Sequence, residues 1–262
     1  MSRVAFGCLL REYLLKVQRT FGKVGNGLIG KLQHHQKTDA LSFDPLKTNP
    51  APVILENGCP LCHQAARPFY LDVFFECVNC AGIFRTREYL PTSEDEKSRY
   101  EEHHNDVLDP RYRQFVSPIT SSVIRDYGPE SVGLDFGSGT GPVISQVLLE
   151  AGYDIKQYDP FFDNKPEVLE CQYDYIACCE VMEHFHNPKK EFHLLQSLLK
   201  PGGHLYCMTH LYTPAINFDN WYYRRDKTHS FIYQAATLKW IQEKWYFSTL
   251  TVDERLIVFK KS

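Results

Sequence analysis

The chain contains no run of about 18 uninterrupted apolar residues, so the sequence predicts no membrane-spanning helix. It has no internal repeat and no low-complexity tract, which argues against a repeat array or a fibrous protein. It lacks the even cysteine count of a disulfide framework, having nine cysteines in 262 residues. It also lacks a basic excess: 29 Lys and Arg stand against 32 Asp and Glu. The balance is uneven along the chain. Residues 1–50 hold eight Lys/Arg and three Asp/Glu, a local +5, which leaves -8 for the remainder of a chain whose net charge is -3. A body that acidic disfavours phosphate backbones, whose binding depends on Lys and Arg releasing counterions. What is present is a globular composition, 43% apolar, 14% aromatic and 23% charged, enough to fill a core.

Three regions follow from the patterning. Residues 1–50 read as a basic, flexible or weakly helical extension, acid-poor in the manner of a transit peptide but without a secretory h-region. Residues 51–90 form a small unit around two cysteine pairs. From residue 91 to 262 the pattern becomes a single α/β domain, opened by a helical lid over 93–128. In that lid, a serine before acidic residues suits a helix start, Asp109-Pro110 opens a second helix, and Pro118 should kink or split it. From residue 131 strands and helices alternate, which predicts a mostly parallel sheet with helices on both faces. The runs FSTLTV and RLIVFKK read as a final antiparallel pair.

The cysteine pairs are Cys59-x-x-Cys62 and Cys77-x-x-Cys80, 14 residues apart. Each knuckle lets two thiolates meet one ion, and four complete a tetrahedral zinc site. A closed four-thiolate shell leaves no position for water, so this zinc ribbon is expected to be structural; His63 is unnecessary as a ligand. Cys178, Cys179 and Cys207 fall in predicted core strands and are assigned to packing. This cysteine usage predicts a reducing, cytoplasmic setting.

The sharpest feature is LDFGSGTGP, residues 134–142, between a strand and a helix. Gly137, Gly139 and Gly141 permit a tight turn and close approach of a ligand, with Ser138 among them. Proline at 142 departs from the G-x-G-x-x-G dinucleotide spacing. Asp135, two residues before the first glycine, would repel a pyrophosphate but suits a ligand with an ammonium group. Asp159 closes the next strand 22 residues after Gly137, where an acid can accept bonds from ribose hydroxyls. Together these resemble the class I S-adenosylmethionine-dependent methyltransferase signature. Further along, CCEVMEHFHNP at 178–188 resembles ubiquinone-biosynthesis-type O-methyltransferases, and LLKPGGHLYCMT at 198–209 resembles the class's turn into its fifth strand. WYYRRDKTHSFIYQAATLKW at 221–240 is similar to its D-x-T-H segment. The combination resembles bacterial methyltransferases that carry an N-terminal zinc ribbon.

The resemblance implies a seven-stranded, Rossmann-like class I sheet with a small N-terminal zinc ribbon. It implies methyl transfer from S-adenosylmethionine to an oxygen or nitrogen of a small molecule. Cofactor contacts would come from Asp135, Gly137, Ser138, Gly139, Gly141, Asp159 and Glu180. Sites in open α/β sheets lie at the carboxyl ends of the strands, so the catalytic candidates are Glu183, His184, His210 and His229. Glu180, Glu183 and His184 match a pattern that binds a divalent cation in the ubiquinone-type enzymes; the alternative is that Glu180 contacts the cofactor and Glu183 caps a helix. His103, Asn105 and Tyr100 sit on a helix that in this class covers the cofactor, and His229 with Asp226 reads as a base or a lid hinge. Trp221–Tyr223 read either as core or as a stacking acceptor pocket. Only 13 residues separate Asp159 from Tyr173, too few for a full third strand and helix. Two rival functions stay open: an RNA methyltransferase gripping nucleic acid with the ribbon, for which CPLCHQ resembles the zinc segment of ribosomal-RNA guanine methyltransferases, and a non-catalytic cofactor-binding scaffold.

Overall fold

The computed structural model describes residues 51–262 apart from 54, 56, 57, 103 and 104. The basic extension of residues 1–50 and His103 therefore lie outside the described residues. Two sheets are present among the described residues. The smaller holds β1 (Ala66–Tyr70), β2 (Phe74–Cys77), β3 (Ile83–Arg85) and the two-residue β8 (Phe231–Ile232). The larger holds β4 (Val132–Phe136), β5 (Asp154–Tyr158), β6 (Tyr173–Cys179), β7 (Leu199–Met208), β9 (Phe247–Asp253) and β10 (Leu256–Lys261), in the order β5-β4-β6-β7-β10-β9. β4, β5, β6 and β7 run parallel, and β10 is antiparallel to both β7 and β9.

The expected count of seven strands is corrected to six in this sheet among the described residues. Between β5 and β6 the chain forms a bend and a single 3-10 turn at Pro166–Glu170. β5 is thus the edge, and the short linker explains it: a further parallel strand needs a crossover of about a dozen residues besides the strand itself.

Among the described residues six helices flank the sheets: α1 (Ser93–Glu101), α2 (Pro110–Asp126), α3 (Val143–Glu150), α4 (Pro188–Leu198), α5 (Tyr222–Arg225) and α6 (Ala235–Lys244). α1 is capped by Thr92 rather than by Ser93, through a reciprocal capping box with Asp95. Asp109 caps α2 as expected, with Pro110 in its first turn, where a missing N–H costs nothing. Pro118 does not split α2, which continues through it to Asp126.

Alternation along the central strands sorts the layers. Tyr175, Ala177, Tyr206 and Met208 face α2 and α3, while Ile176, Cys178, Leu205 and Cys207 face α4 and α6. Cys59, Cys77, Cys80, Phe75 and Phe84 of the ribbon belong to that second cluster, so ribbon and sheet share one core. β3 pairs antiparallel with β8, so a strand from the far end of the chain completes the ribbon's sheet. Trp221 and Tyr223 are buried with Tyr70, Phe74 and Phe218 where the ribbon meets the body, which is the core reading of those aromatics. Among the described residues no helix is long and apolar enough to cross a membrane.

Candidate functional site

A cavity of about 530 Å³ opens where β4, β5 and β6 end, with α1 and α2 across its mouth. The chain leaves β4 toward β5 on one side and returns through β6 and β7 on the other, so the crevice sits at the point where strand order reverses.

The glycine bend forms its floor. The amides of Gly137 and Ser138 both donate to the Tyr158 carbonyl, tying the bend to the end of β5. Gly137 and Gly139 have φ of +79° and +64°, a region that disfavours side chains. A Cβ on Gly137 would strike Val181, whereas one on Gly139 would meet nothing within 4 Å, because it faces the open cavity. Gly141 lies under the lid loop, where a Cβ would fall 2.0 Å from the Asn105 carbonyl.

Asp159 turns toward this bend. Its Oδ2 accepts from Gly139 N at 2.9 Å, and its Oδ1 accepts from Phe161 N and Phe162 N at 2.9 and 3.1 Å. It is buried, lines the cavity and retains lone pairs for hydroxyl donors. Asp135 is placed differently. It does not line the cavity; its Oδ2 accepts from the Ser145 hydroxyl at 2.8 Å and the Ser145 amide at 3.3 Å. Burial raises its pKa to about 6, against the two Ser145 bonds that lower it. Asp135 therefore acts through the first turn of α3, which it anchors behind the glycines.

β6 is followed directly by Glu180, whose φ of +52° is rare for a residue with a side chain and marks local backbone strain. Glu180 lines the cavity, and its Oε1 lies 3.4 Å from Arg255. Burial, then the neighbouring Glu183, pushes its carboxyl well above the usual range. Above it, Glu96 and Tyr100 from α1 and Tyr112 and Phe115 from α2 form the roof. His186 reaches Glu96 at 3.2 Å, a contact between the roof and the segment after β6.

Below the cavity wall, Glu183, His184 and His229 converge, with one donor atom of each within 4.8 Å of the others. His184 Nδ1 lies 3.0 Å from the Thr228 carbonyl, and His229 Nδ1 lies 2.7 Å from the Tyr223 carbonyl. A carbonyl only accepts, so both rings carry hydrogen on Nδ1 and present a lone pair at Nε2. Both Glu183 carboxylate oxygens and His229 Nε2 are buried without a hydrogen-bond partner. The hydroxyls of Thr209 and Tyr223 lie beside Glu183 but bond to each other. Burial raises the Glu183 pKa and lowers that of His229 to about 3. An unpaired carboxylate and an unpaired imidazole nitrogen, with the His184 ring in the same span, fit a divalent cation. The set differs from the expected Glu180, Glu183 and His184: Glu180 is turned to Arg255, and His229 stands in its place. His210 is not brought to the cavity; its Nε2 lies 3.0 Å from the Tyr222 hydroxyl, on the side of the aromatic core.

The four ribbon thiols also converge, all within 4.8 Å. Cys62 and Cys77 Sγ lie 3.2 Å apart and Cys59 and Cys80 Sγ 3.6 Å, near the edge of about 3.8 Å that a tetrahedral zinc with Zn–S bonds of ~2.3 Å requires. The two knuckles repeat one backbone turn. His63 N donates to Cys59 O and Ala81 N to Cys77 O, and both residues have positive φ. His63 thus has the backbone role of Ala81, not that of a ligand.

Sequence reading missed Tyr112, Phe115, Phe161 and Phe162 in the wall, and Arg255 beside Glu180. None carries a motif: Phe161 and Phe162 directly follow Asp159, and Tyr112, Phe115 and Arg255 enter the site through packing of distant segments.

Residues 89–251 match the family model described as a methyltransferase domain, more than half of the chain, and the chain belongs to that family. It is 30% identical over 91 residues to the ubiquinone biosynthesis O-methyltransferase of Photorhabdus laumondii, a stretch covering 35% of this chain and 38% of that protein. The corresponding enzyme of Erwinia tasmaniensis is 30% identical over 91 residues, covering 35% and 37%. The match thus spans less than half the length of these curated relatives. Among solved structures, the 1,6-didemethyltoxoflavin-N1-methyltransferase of Burkholderia thailandensis is 15% identical with a TM-score of 0.47, covering 71% of this chain and 97% of that one.

Proposed function

We propose that the chain transfers a methyl group from S-adenosylmethionine to an oxygen or nitrogen of a small molecule. The carrying observation is the cavity itself: Gly139 faces open space, and Asp159 is held against it at the end of the neighbouring strand. Its volume of about 530 Å³ falls in the range of small-molecule sites, roughly 300–1,000 Å³. Glu96, Asp106 and Asp159 line the wall against Lys190, a field that suits a cationic donor and opposes phosphate. That acidity weighs against the RNA alternative.

In the reaction an acceptor lone pair attacks the methyl carbon, the carbon–sulfur bond breaks and its electron pair stays on sulfur. The acceptor's proton must leave. His184 lines the cavity, its Nδ1–H is held by Thr228, and its Nε2 lone pair takes that proton. The Thr228 contact keeps the ring in the needed tautomer. Asp159 orients the donor's sugar, and the roof of α1 and α2 excludes water while donor and acceptor are aligned.

The unpaired donors favour a second route to the same product. Glu183, His184 and His229 would hold a divalent cation, which when bound would supply charge that acidifies a hydroxyl acceptor. The ribbon thiols would hold zinc in a structural role.

The test is isothermal titration of the zinc-loaded protein with S-adenosylhomocysteine. Binding is expected, and Asp159→Ala should weaken it at least about tenfold, as for lost charge-assisted bonds, with the thermal transition retained. A folded protein that binds nothing would sink the proposal, and unchanged affinity in the variant would remove Asp159 from the sugar site. Turnover with and without a chelator selective for divalent cations, at constant zinc content, separates the two proton routes.

A further inference from the structure

The segment 223–230 that carries His229 has little regular structure of its own, yet His229 is fully buried. Something must hold it. One side is held by the turn after β6: Ser230 N donates to the Glu183 carbonyl at 2.8 Å, and His184 bonds the Thr228 carbonyl. The other side is held by the ribbon. Arg85, the last residue of β3, donates from Nε to the His229 carbonyl at 3.1 Å, and from Nη2 to the carbonyls of Arg224 at 2.9 Å and Asp226 at 3.0 Å. Its own amide donates to the Ser230 carbonyl at 3.0 Å. The guanidinium lies 4.5 Å from the Phe74 ring centroid, which fixes its plane.

The cysteine knuckle stands directly behind this arrangement. A Cβ on Gly82 would fall 2.1 Å from the Phe231 ring, so the knuckle and β8 are in tight contact. Gln234 donates to the Ala81 carbonyl at 2.7 Å and to Glu76 at 2.9 Å. Three carbonyls from one loop, all accepting from a single planar guanidinium, define the loop's path more narrowly than packing alone, because the fork fixes direction as well as distance.

We propose that Arg85 is a positioning residue for His229, and that the ribbon serves this protein as the frame of the Glu183–His184–His229 cluster. The assignment rests on the functional reading above only for the use of that cluster; the geometry of the clamp does not depend on it. The ribbon acts through the loop's carbonyl oxygens and not through any contact of its own with the cavity: no described residue of 51–90 lines the wall.

The experiment uses the full chain, zinc-loaded, with Arg85→Met and Arg85→Lys. Met keeps the length and the contact with Phe74 but removes all donors; Lys restores a cation with fewer, differently directed donors. Three readouts are taken: zinc content with the thermal transition, Mn²⁺ affinity by titration, and the His229 ring tautomer by long-range nitrogen-15 NMR without any ligand. Arg85→Met is expected to keep its zinc, to lose about tenfold or more in Mn²⁺ affinity, as removal of outer-shell support typically does, and to populate both His229 tautomers. Arg85→Lys should fall between it and the parent. S-Adenosylhomocysteine affinity should change less than about threefold, a shift below 1 kcal/mol. A folded Arg85→Met with parental Mn²⁺ affinity and a single Nδ1–H tautomer would overturn the proposal. If Arg85→Met does not fold, Arg85→Lys decides alone, and parental values on both readouts overturn it. If the parent binds neither S-adenosylhomocysteine nor Mn²⁺, the functional reading fails, while the tautomer measurement still decides the role of Arg85.

Discussion

Among the described residues two clusters of metal-binding donors are present, and they were built in opposite ways. The ribbon cluster comes from two copies of one local turn, Cys59–His63 and Cys77–Ala81, each with two thiols at fixed spacing and the same positive φ after the second. The Glu183–His184–His229 cluster draws on two segments about 45 residues apart, joined only when β8 closes against the ribbon. The first needs a hairpin. The second needs the whole fold. A site of the first kind stabilises structure because forming it is forming the turn; a site of the second kind is positioned by structure and is the more easily disturbed from outside.

The largest effect should come from breaking the local cluster. Cys77→Ser, or zinc removal by chelation, should cost more than about 5 kcal/mol, given the ~10–16 kcal/mol of structural zinc sites, and should unfold the sheet along with the ribbon because they share a core. Thermal melting followed by both near- and far-ultraviolet circular dichroism checks this. A body that melts at its parental temperature after zinc loss would break the comparison.

A smaller effect belongs to Asp135, buried behind the glycine bend. Its pKa is raised to about 6, so the folded state holds a proton that the unfolded chain has released. The stability this contributes is present below the ordinary carboxyl value of about 3.9 and is lost as pH rises through 6. Asp135→Asn removes that dependence, so the variant should gain on the parent between pH 4 and pH 7, by up to about 3 kcal/mol. Urea denaturation at the two values measures it, and a constant difference would contradict the assignment.

The smallest effect sharpens the comparison within the ribbon. Because His63 matches Ala81 in backbone and is exposed, His63→Ala should leave zinc content unchanged and stability within about 0.5 kcal/mol. Loss of zinc would make His63 a ligand.

Much of the site was legible in sequence wherever neighbours in the chain are neighbours in space. Gly137, Gly139 and Asp159 sit where the strand–turn–helix pattern puts them, and the bond from Gly139 to Asp159 joins two strand ends that must be adjacent in a parallel pair. Asp135 was legible as a residue but not as a role, since a strand residue's facing depends on a register that no local signal marks. His210 and His229 looked alike on paper, each a histidine near a strand end or turn. Only packing sends His229 to Glu183 and His210 to Tyr222. The missing third strand was foreshadowed by a linker of 13 residues, a plain limit of chain length.

The sequence by itself determined the elements whose cause is local. Glycines can adopt φ above zero, paired thiols two residues apart can share an ion, and alternating apolar residues must bury one face. The tertiary structure alone decided which distant donors meet. Burial left the Glu183 carboxylate and His229 Nε2 without partners, and Arg85, 144 residues before His229, supplies the bond that holds the latter's loop. The physical reason is that hydrogen bonding and metal coordination act over about 3 Å, while the chain says nothing about such distances until its core has closed.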